Sequence, residues 1–164
     1  MGRIVPVKEQ KTNAMRILDQ KKIKYTAHEY NHGGEAIDGV TAAAMIGRDP
    51  ESVFKTLVTR GASKTVYVFV IPVAHELELK KPAKAVGEKS IAMIHVSEIT
   101  ALTGYVRGGC SPIGMKKQYK TVINESALSQ ETIIFSGGKI GAQIECAPND
   151  LAAIVRGTFA DVII

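Results

Sequence analysis

Six consecutive residues, Val66-Tyr67-Val68-Phe69-Val70-Ile71, carry no charge and no polar alternation. A strand that is apolar on both faces has to be covered on both, so this run belongs inside a sheet and not at its edge. Val53–Thr59 reads as its neighbour, joined to it through Arg60-Gly61-Ala62-Ser63. Further strands are predicted over Tyr25–Tyr30, Ile91–His95, Tyr105–Arg107, Thr121–Asn124, Thr132–Phe135 and Ala142–Cys146, with an edge strand in Phe159–Ile164. The helices between them are short. One starts at Thr12, a good N-cap, and runs to about Lys22. Asp38 caps Val40–Ile46, Pro82 stands in the first turn of Lys81–Val86, Ser97 caps a helix ending near Gly104, and a last helix spans Asp150–Arg156. The strands outnumber what these helices can link as regular strand–helix–strand units. The expected class is therefore α+β, a curved mixed sheet with short helices packed around it, and not a doubly wound fold.

At 164 residues the chain is expected to form one domain over 1–164, with Met1–Glu9 a loose extension. No apolar run approaches the roughly 20 residues of a membrane span, and Met1–Lys11 lacks the apolar centre of a signal peptide. These features predict a cytoplasmic protein with no membrane association, in which Cys110 and Cys146 are free thiols. The net charge is +5, from 21 Lys and Arg against 16 Asp and Glu. The basic residues cluster at Lys21/Lys22/Lys24, Lys80/Lys81/Lys84 and Lys116/Lys117/Lys120, an arrangement able to meet a polyanion without reading its sequence.

Two segments point to chemistry. Gly108-Gly109-Cys110-Ser111-Pro112-Ile113-Gly114 is a glycine-rich turn, placed where backbone bends sharply or comes close to something. Lys55 stands in Val53-Phe54-Lys55-Thr56-Leu57, a lone cation in an apolar strand. Together they suggest a cradle for an anionic or carbonyl-bearing ligand. Other patterns weaken on inspection. His28-Glu29-Tyr30-Asn31-His32 matches the HExxH zinc-protease motif, but it falls in a predicted strand. Its histidines would then lie about 13 Å apart at a rise near 3.3 Å per residue, too far to share one ion. Gly137-Gly138-Lys139 lacks the spacing of a phosphate loop and reads as a hairpin turn. Cys110 has no recognisable base beside it and reads as a small loop residue.

Four stretches resemble a known family: VFKTL at Val53–Leu57, LELKKPAKAVG at Leu77–Gly87, TGYVRGGCSPIGMKK at Thr103–Lys117 and FSGGKIGAQIE at Phe135–Glu145. In this order they resemble the YbaK/EbsC group of free-standing aminoacyl-tRNA deacylases, relatives of the editing domain of bacterial prolyl-tRNA synthetase. The resemblance implies a barrel-like mixed core and hydrolysis of the ester of a mischarged tRNA, Cys-tRNA(Pro) first. It implies tRNA as partner, an association with prolyl-tRNA synthetase, and no cofactor or metal. It also implies roles for residues: Lys55 with the Gly108 and Gly109 amides in catalysis, and Tyr30, Ser111, Pro112, Ser136, Gly137 and Gln143 in substrate binding. The substrate's own thiol would then act as nucleophile, leaving placement and charge stabilisation to the protein. In one respect the chain departs from the cysteine-specific members: Gln143 stands where they carry an aspartate, so Glu145 or a backbone carbonyl would have to receive the substrate's ammonium group. A non-catalytic aminoacyl-tRNA or synthetase-binding module, a deacylase with another amino-acid preference, and a zinc peptidase are the alternative readings.

Overall fold

The computed structural model describes residues 11–164, so the predicted extension Met1–Glu9 lies outside the described residues. Thr12 opens the first helix, its hydroxyl accepting the Met15 N–H at 3.2 Å. This helix, α1 (Asn13–Gln20), turns Ala14, Met15 and Leu18 inward. Strand β1 (Thr26–Glu29) follows, and then α2 (Gly39–Met45), capped by Asp38. The central hairpin is β2 (Phe54–Gly61) and β3 (Val66–Pro72). The chain continues through α3 (Lys80–Val86), β4 (Ile91–Met93), α4 (Ile99–Thr103), β5 (Lys120–Asn124), β6 (Ile133–Ser136), β7 (Ala142–Cys146), α5 (Pro148–Val155) and β8 (Thr158–Ala160).

The strands form two sheets. Three strands in the order β1-β7-β6 make an antiparallel sheet, in which Gln143 of β7 lies opposite both His28 and Ser136. Five strands in the order β4-β2-β3-β5-β8 make a mixed sheet, antiparallel around β2 and parallel from β3 through β8. The two-faced apolar run is its middle strand. Val68 and Val70 point to one side, where Phe54, Phe135, Ile144, Leu18 and Leu151 close the space between the two sheets. Tyr67, Phe69 and Ile71 point to the other, where they meet Ala83 and Val86 of α3 and Val162. Each fully buried side chain of this kind contributes roughly 1.5–3 kcal/mol, so covering both faces of β3 is a main reason for the layered arrangement.

The two sheets are joined by one isolated parallel bridge, Val53–Ile134, so the barrel-like mixed core stays open. Two expectations are corrected. Tyr105–Arg107 is not a strand. Gly104 ends α4 in a left-handed conformation, the Tyr105 N–H turns back to Thr103 Oγ1, and the Tyr105 hydroxyl donates to the Ile113 carbonyl at 2.5 Å. Tyr105 is apolar enough to look like strand material, but it is a buried pin for the following loop. Ser97 is not a helix cap; it lies within a 3-10 turn, Val96–Glu98, that leads into α4. Among the described residues no helix is long and apolar enough to cross a membrane.

Candidate functional site

At the seam where the two sheets meet is a cavity of about 460 Å³. Its walls come from five places distant in sequence. Strand β2 supplies Phe54, Lys55 and Thr56; the connection from β1 into α2 supplies Tyr30, Ala36, Ile37 and Asp38; Arg107, Gly108 and Cys110 come from the glycine-rich loop; Ser136 and Gln143 come from β6 and β7. Val73, Gly39 and Ala42 complete it. A larger depression of about 610 Å³ lies between α1 and β1, where the Lys11–Asp19 ion pair forms part of the lining.

The shared cavity depends on close backbone contacts. Gly108 has φ +85°, and a Cβ there would stand 2.7 Å from the Ala36 Cβ. Any side chain at this position is strained and pushes on the opposite wall. A Cβ on Gly109 would stand 2.8 Å from the Ile140 nitrogen, a backbone atom with little room to yield. The glycine pair thus lets the loop lie directly against the β6–β7 hairpin.

Polar groups in the cavity fall into two kinds. Thr56 Oγ1 and Gln143 Oε1 are buried and have no hydrogen-bond partner in the protein. A buried polar atom left unmatched costs on the order of 1–3 kcal/mol, so such atoms concentrate where a ligand or water completes them. The other kind is charged. Lys55 Nζ donates to Glu76 Oε2 at 3.1 Å, but Glu76 is 77% exposed. That pair holds Lys55 only weakly. Arg107 adds a second cation on the wall, and Asp38 is the one carboxylate among the described residues that line it. The Thr41 hydroxyl and amide hold the Asp38 carboxyl below the usual carboxylate range.

The residues expected from sequence divide accordingly. Lys55, Gly108, Tyr30, Ser136 and Gln143 line this one cavity. Four others sit behind its wall. The Gly109 N–H donates to the Val106 carbonyl at 3.0 Å, and the Gly137 N–H to the Ala142 carbonyl at 2.8 Å. Of the two expected loop amides, that of Gly109 is therefore already matched within the loop. Ser111 is fully buried, and its hydroxyl accepts the Ile113 N–H at 3.2 Å. Pro112, also buried, belongs to the same turn. These four residues shape and fasten the loops and do not line the cavity.

Glu145 cannot stand in for the missing aspartate. Its carboxylate accepts two bonds from Arg48 at 2.8 and 3.0 Å, one from His28 Nε2 at 2.8 Å, and one from the Thr132 hydroxyl. Burial alone would raise its pKa; the bonds from Thr132, His28 and Arg48 outweigh burial and hold it below the ordinary value. The HExxH histidines are likewise committed. His28 lies on β1 and serves Glu145, whereas His32, past the strand end, accepts the Gly34 N–H at 3.0 Å. Both cysteines are free and buried. Burial pushes the Cys110 thiol up to about 11, which leaves it un-ionised at neutral pH and unsuited to act as a nucleophile.

Sequence reasoning missed three residues. Thr56 looked like an ordinary strand former, Asp38 looked like a helix cap, and Arg107 looked like the last residue of a strand. Asp38 is indeed the cap, with Oδ2 accepting the Thr41 N–H at 3.0 Å. Nothing in the local pattern signals that the same residue also lines the cavity.

Comparison with known proteins gives a consistent result. Residues 35–154 match the family described as Aminoacyl-tRNA editing domain. EbsC of Enterococcus faecalis, a proposed Cys-tRNA(Pro)/Cys-tRNA(Cys) deacylase, is 45% identical over 154 residues, which cover 94% of each protein. A solved structure described as a proposed trans-editing enzyme for prolyl tRNA synthetase superposes with a TM-score of 0.81 at 22% identity, covering 99% of both chains. A solved scaffold used for computational epitope grafting superposes at 0.79 with 22% identity, covering 98% of this chain and 99% of that one. At these identities the solved structures speak for the fold.

Proposed function

The chain belongs to the aminoacyl-tRNA editing domain family, and from that premise we propose that it is a trans-editing hydrolase that cleaves the ester of mischarged tRNA, with Cys-tRNA(Pro) as its leading substrate. The whole chain acts as one editing unit in the cytoplasm. The observation that carries this reading is the meeting of Lys55, Arg107 and Gly108 with two unmatched buried polar atoms, Thr56 Oγ1 and Gln143 Oε1, in one cavity. Such a site suits a small ligand rich in polar groups and negative at one end, as an aminoacylated adenosine terminus is.

Editing of this kind answers a physical limit. Cysteine and proline are close in size, and one pocket separates such near-isosteres by only about 10- to 200-fold. A second site has to remove what the first lets through. The name of the Enterococcus relative pairs two tRNAs with one amino acid. By analogy, the cavity reads the cysteinyl group, and the tRNA body is held by its phosphates. Prolyl-tRNA synthetase then supplies choice of tRNA as a partner.

In the proposed reaction the substrate cysteine gives its thiol proton to water, a step favoured by the positive field of Lys55 and Arg107. The thiolate attacks its own ester carbonyl carbon. A carbon–sulfur bond forms, the bond from that carbon to the ribose oxygen breaks, and the ribose oxygen takes a proton back from water as the tRNA leaves with its hydroxyl. Water opens the strained thioester ring and releases free cysteine. Lys55 offsets charge on the carbonyl or leaving oxygen, the Gly108 amide offers a hydrogen bond, and Tyr30 and Ser136 orient the terminal adenosine.

Lys55→Ala tests this. Release of labelled cysteine from Cys-tRNA(Pro) is expected to fall by roughly 100- to 1,000-fold, the range for losing one oxyanion-stabilising group, while the circular dichroism spectrum and Tm stay unchanged. An unaltered rate would remove Lys55 from the mechanism. Protection of the ester by the unaltered protein would instead favour a non-catalytic binding module.

A further inference from the structure

We propose that Asp38 is the binding residue for the substrate's α-ammonium group, and that the protein therefore acts on aminoacyl esters with a free amine and spares N-acylated and peptidyl esters. This deepens the editing reading above and rests on it. An aminoacyl ester presents one positive charge, at its ammonium, and negative charge at the terminal phosphodiester. The cavity has a matching division: Lys55 and Arg107 are cations, and Asp38 is the one carboxylate among the described residues that line it. The other nearby carboxylate on this face of β7, Glu145, is occupied by Arg48, His28 and Thr132.

Asp38 can accept more than it does. Its Oδ1 takes the Thr41 hydroxyl at 2.7 Å and its Oδ2 the Thr41 N–H at 3.0 Å. A carboxylate has about four acceptor positions, and Asp38 is exposed, so the group has room for a further donor. The two Thr41 bonds also fix the side chain, which lowers the entropy lost when a ligand binds. A second observation points the same way. Gln143, only 8% exposed, lines the same cavity, and its buried side-chain oxygen has no donor within the protein. An ammonium has three N–H donors. A carboxylate and a neutral amide oxygen can share them, with the charge recognition supplied by Asp38. Acylation of the amine removes the positive charge and leaves Asp38 facing a neutral, bulkier group.

The test compares Cys-tRNA(Pro) with its N-acetyl form, using the unaltered protein and Asp38→Asn. Asparagine keeps a side-chain oxygen for the helix cap, and an unchanged Tm checks that it does. The unaltered protein is expected to favour the free amine by about 10- to 100-fold in kcat/KM, as for one charge-assisted hydrogen bond. In Asp38→Asn that ratio is expected to shrink to within about threefold. Equal rates on both substrates with the unaltered protein would overturn the proposal, as would a ratio that Asp38→Asn leaves intact. A calorimetric arm uses the non-hydrolysable 3′-cysteinylamino-3′-deoxyadenosine and its N-acetyl counterpart. If no ester is cleaved at all, the hydrolase reading fails alone. The affinity ratio of these analogues then decides Asp38: its loss in Asp38→Asn supports the proposal, and its persistence refutes it.

Discussion

Gln143 and Glu145 stand two residues apart on β7 and project from the same face of the sheet, yet the fold treats them in opposite ways. Each is 8% exposed. Glu145 is saturated by Arg48, His28 and Thr132, drawn from the end of α2, from β1 and from the segment before β6. Gln143 lines the cavity, and its buried side-chain oxygen has no partner in the protein. Where the protein supplies every partner, a buried polar group serves the fold. Where it supplies none, the partner is expected from outside.

The sharpest way to break this contrast is to remove Glu145. Glu145→Ala leaves Arg48 and His28 without their anion and is expected to cost about 2–3 kcal/mol in denaturant unfolding. The folded fraction should keep its rate of ester cleavage. A stability change under about 0.5 kcal/mol would show that the cluster is not structural.

Gln143→Leu and Thr56→Val probe the other side. Both remove an unmatched buried polar atom and keep the volume roughly constant, so stability is expected to hold or rise slightly. Activity on Cys-tRNA(Pro) should fall about tenfold in kcat/KM for each, the effect of one hydrogen bond near 1.4 kcal/mol. If instead both variants unfold more readily and cleave normally, the cavity's polar atoms serve packing and not a ligand.

The weakest expected effect is on acid stability. The folded Glu145 carboxyl lies below its ordinary value, whereas the unfolded one titrates near 4.3. Its contribution is therefore complete above the unfolded value and is lost as pH falls through the folded one. The slope of unfolding free energy against pH in the acid range should flatten in Glu145→Gln and remain unchanged in Gln143→Leu. Identical slopes in both variants would assign acid unfolding to other carboxylates.

Much of the fold was legible. The two-faced apolar run named the central strand, because continuous β-branched and aromatic residues have few other uses. Thr12 and Asp38 marked their helices correctly, since capping is local chemistry within three residues. Tyr105–Arg107 misled for the converse reason. Its strand-like composition was overridden by a local turn back to Thr103 and by the hydroxyl's bond to Ile113, eight residues on, which no pattern within three residues encodes. The site was half legible. Lys55 and the glycine loop stood out as oddities in their surroundings, but Thr56 and Asp38 had ordinary local explanations that concealed a second role.

By itself the sequence determined the class of fold, the middle strand and the stretches shared with aminoacyl-tRNA editing proteins, because periodicity, capping and short motifs act over a few neighbouring residues. Only the tertiary structure decided which polar groups face the cavity. Satisfaction of a hydrogen bond depends on distance in space, and Arg48 finds Glu145 across 97 residues while Gln143, beside it on the same strand, finds no partner.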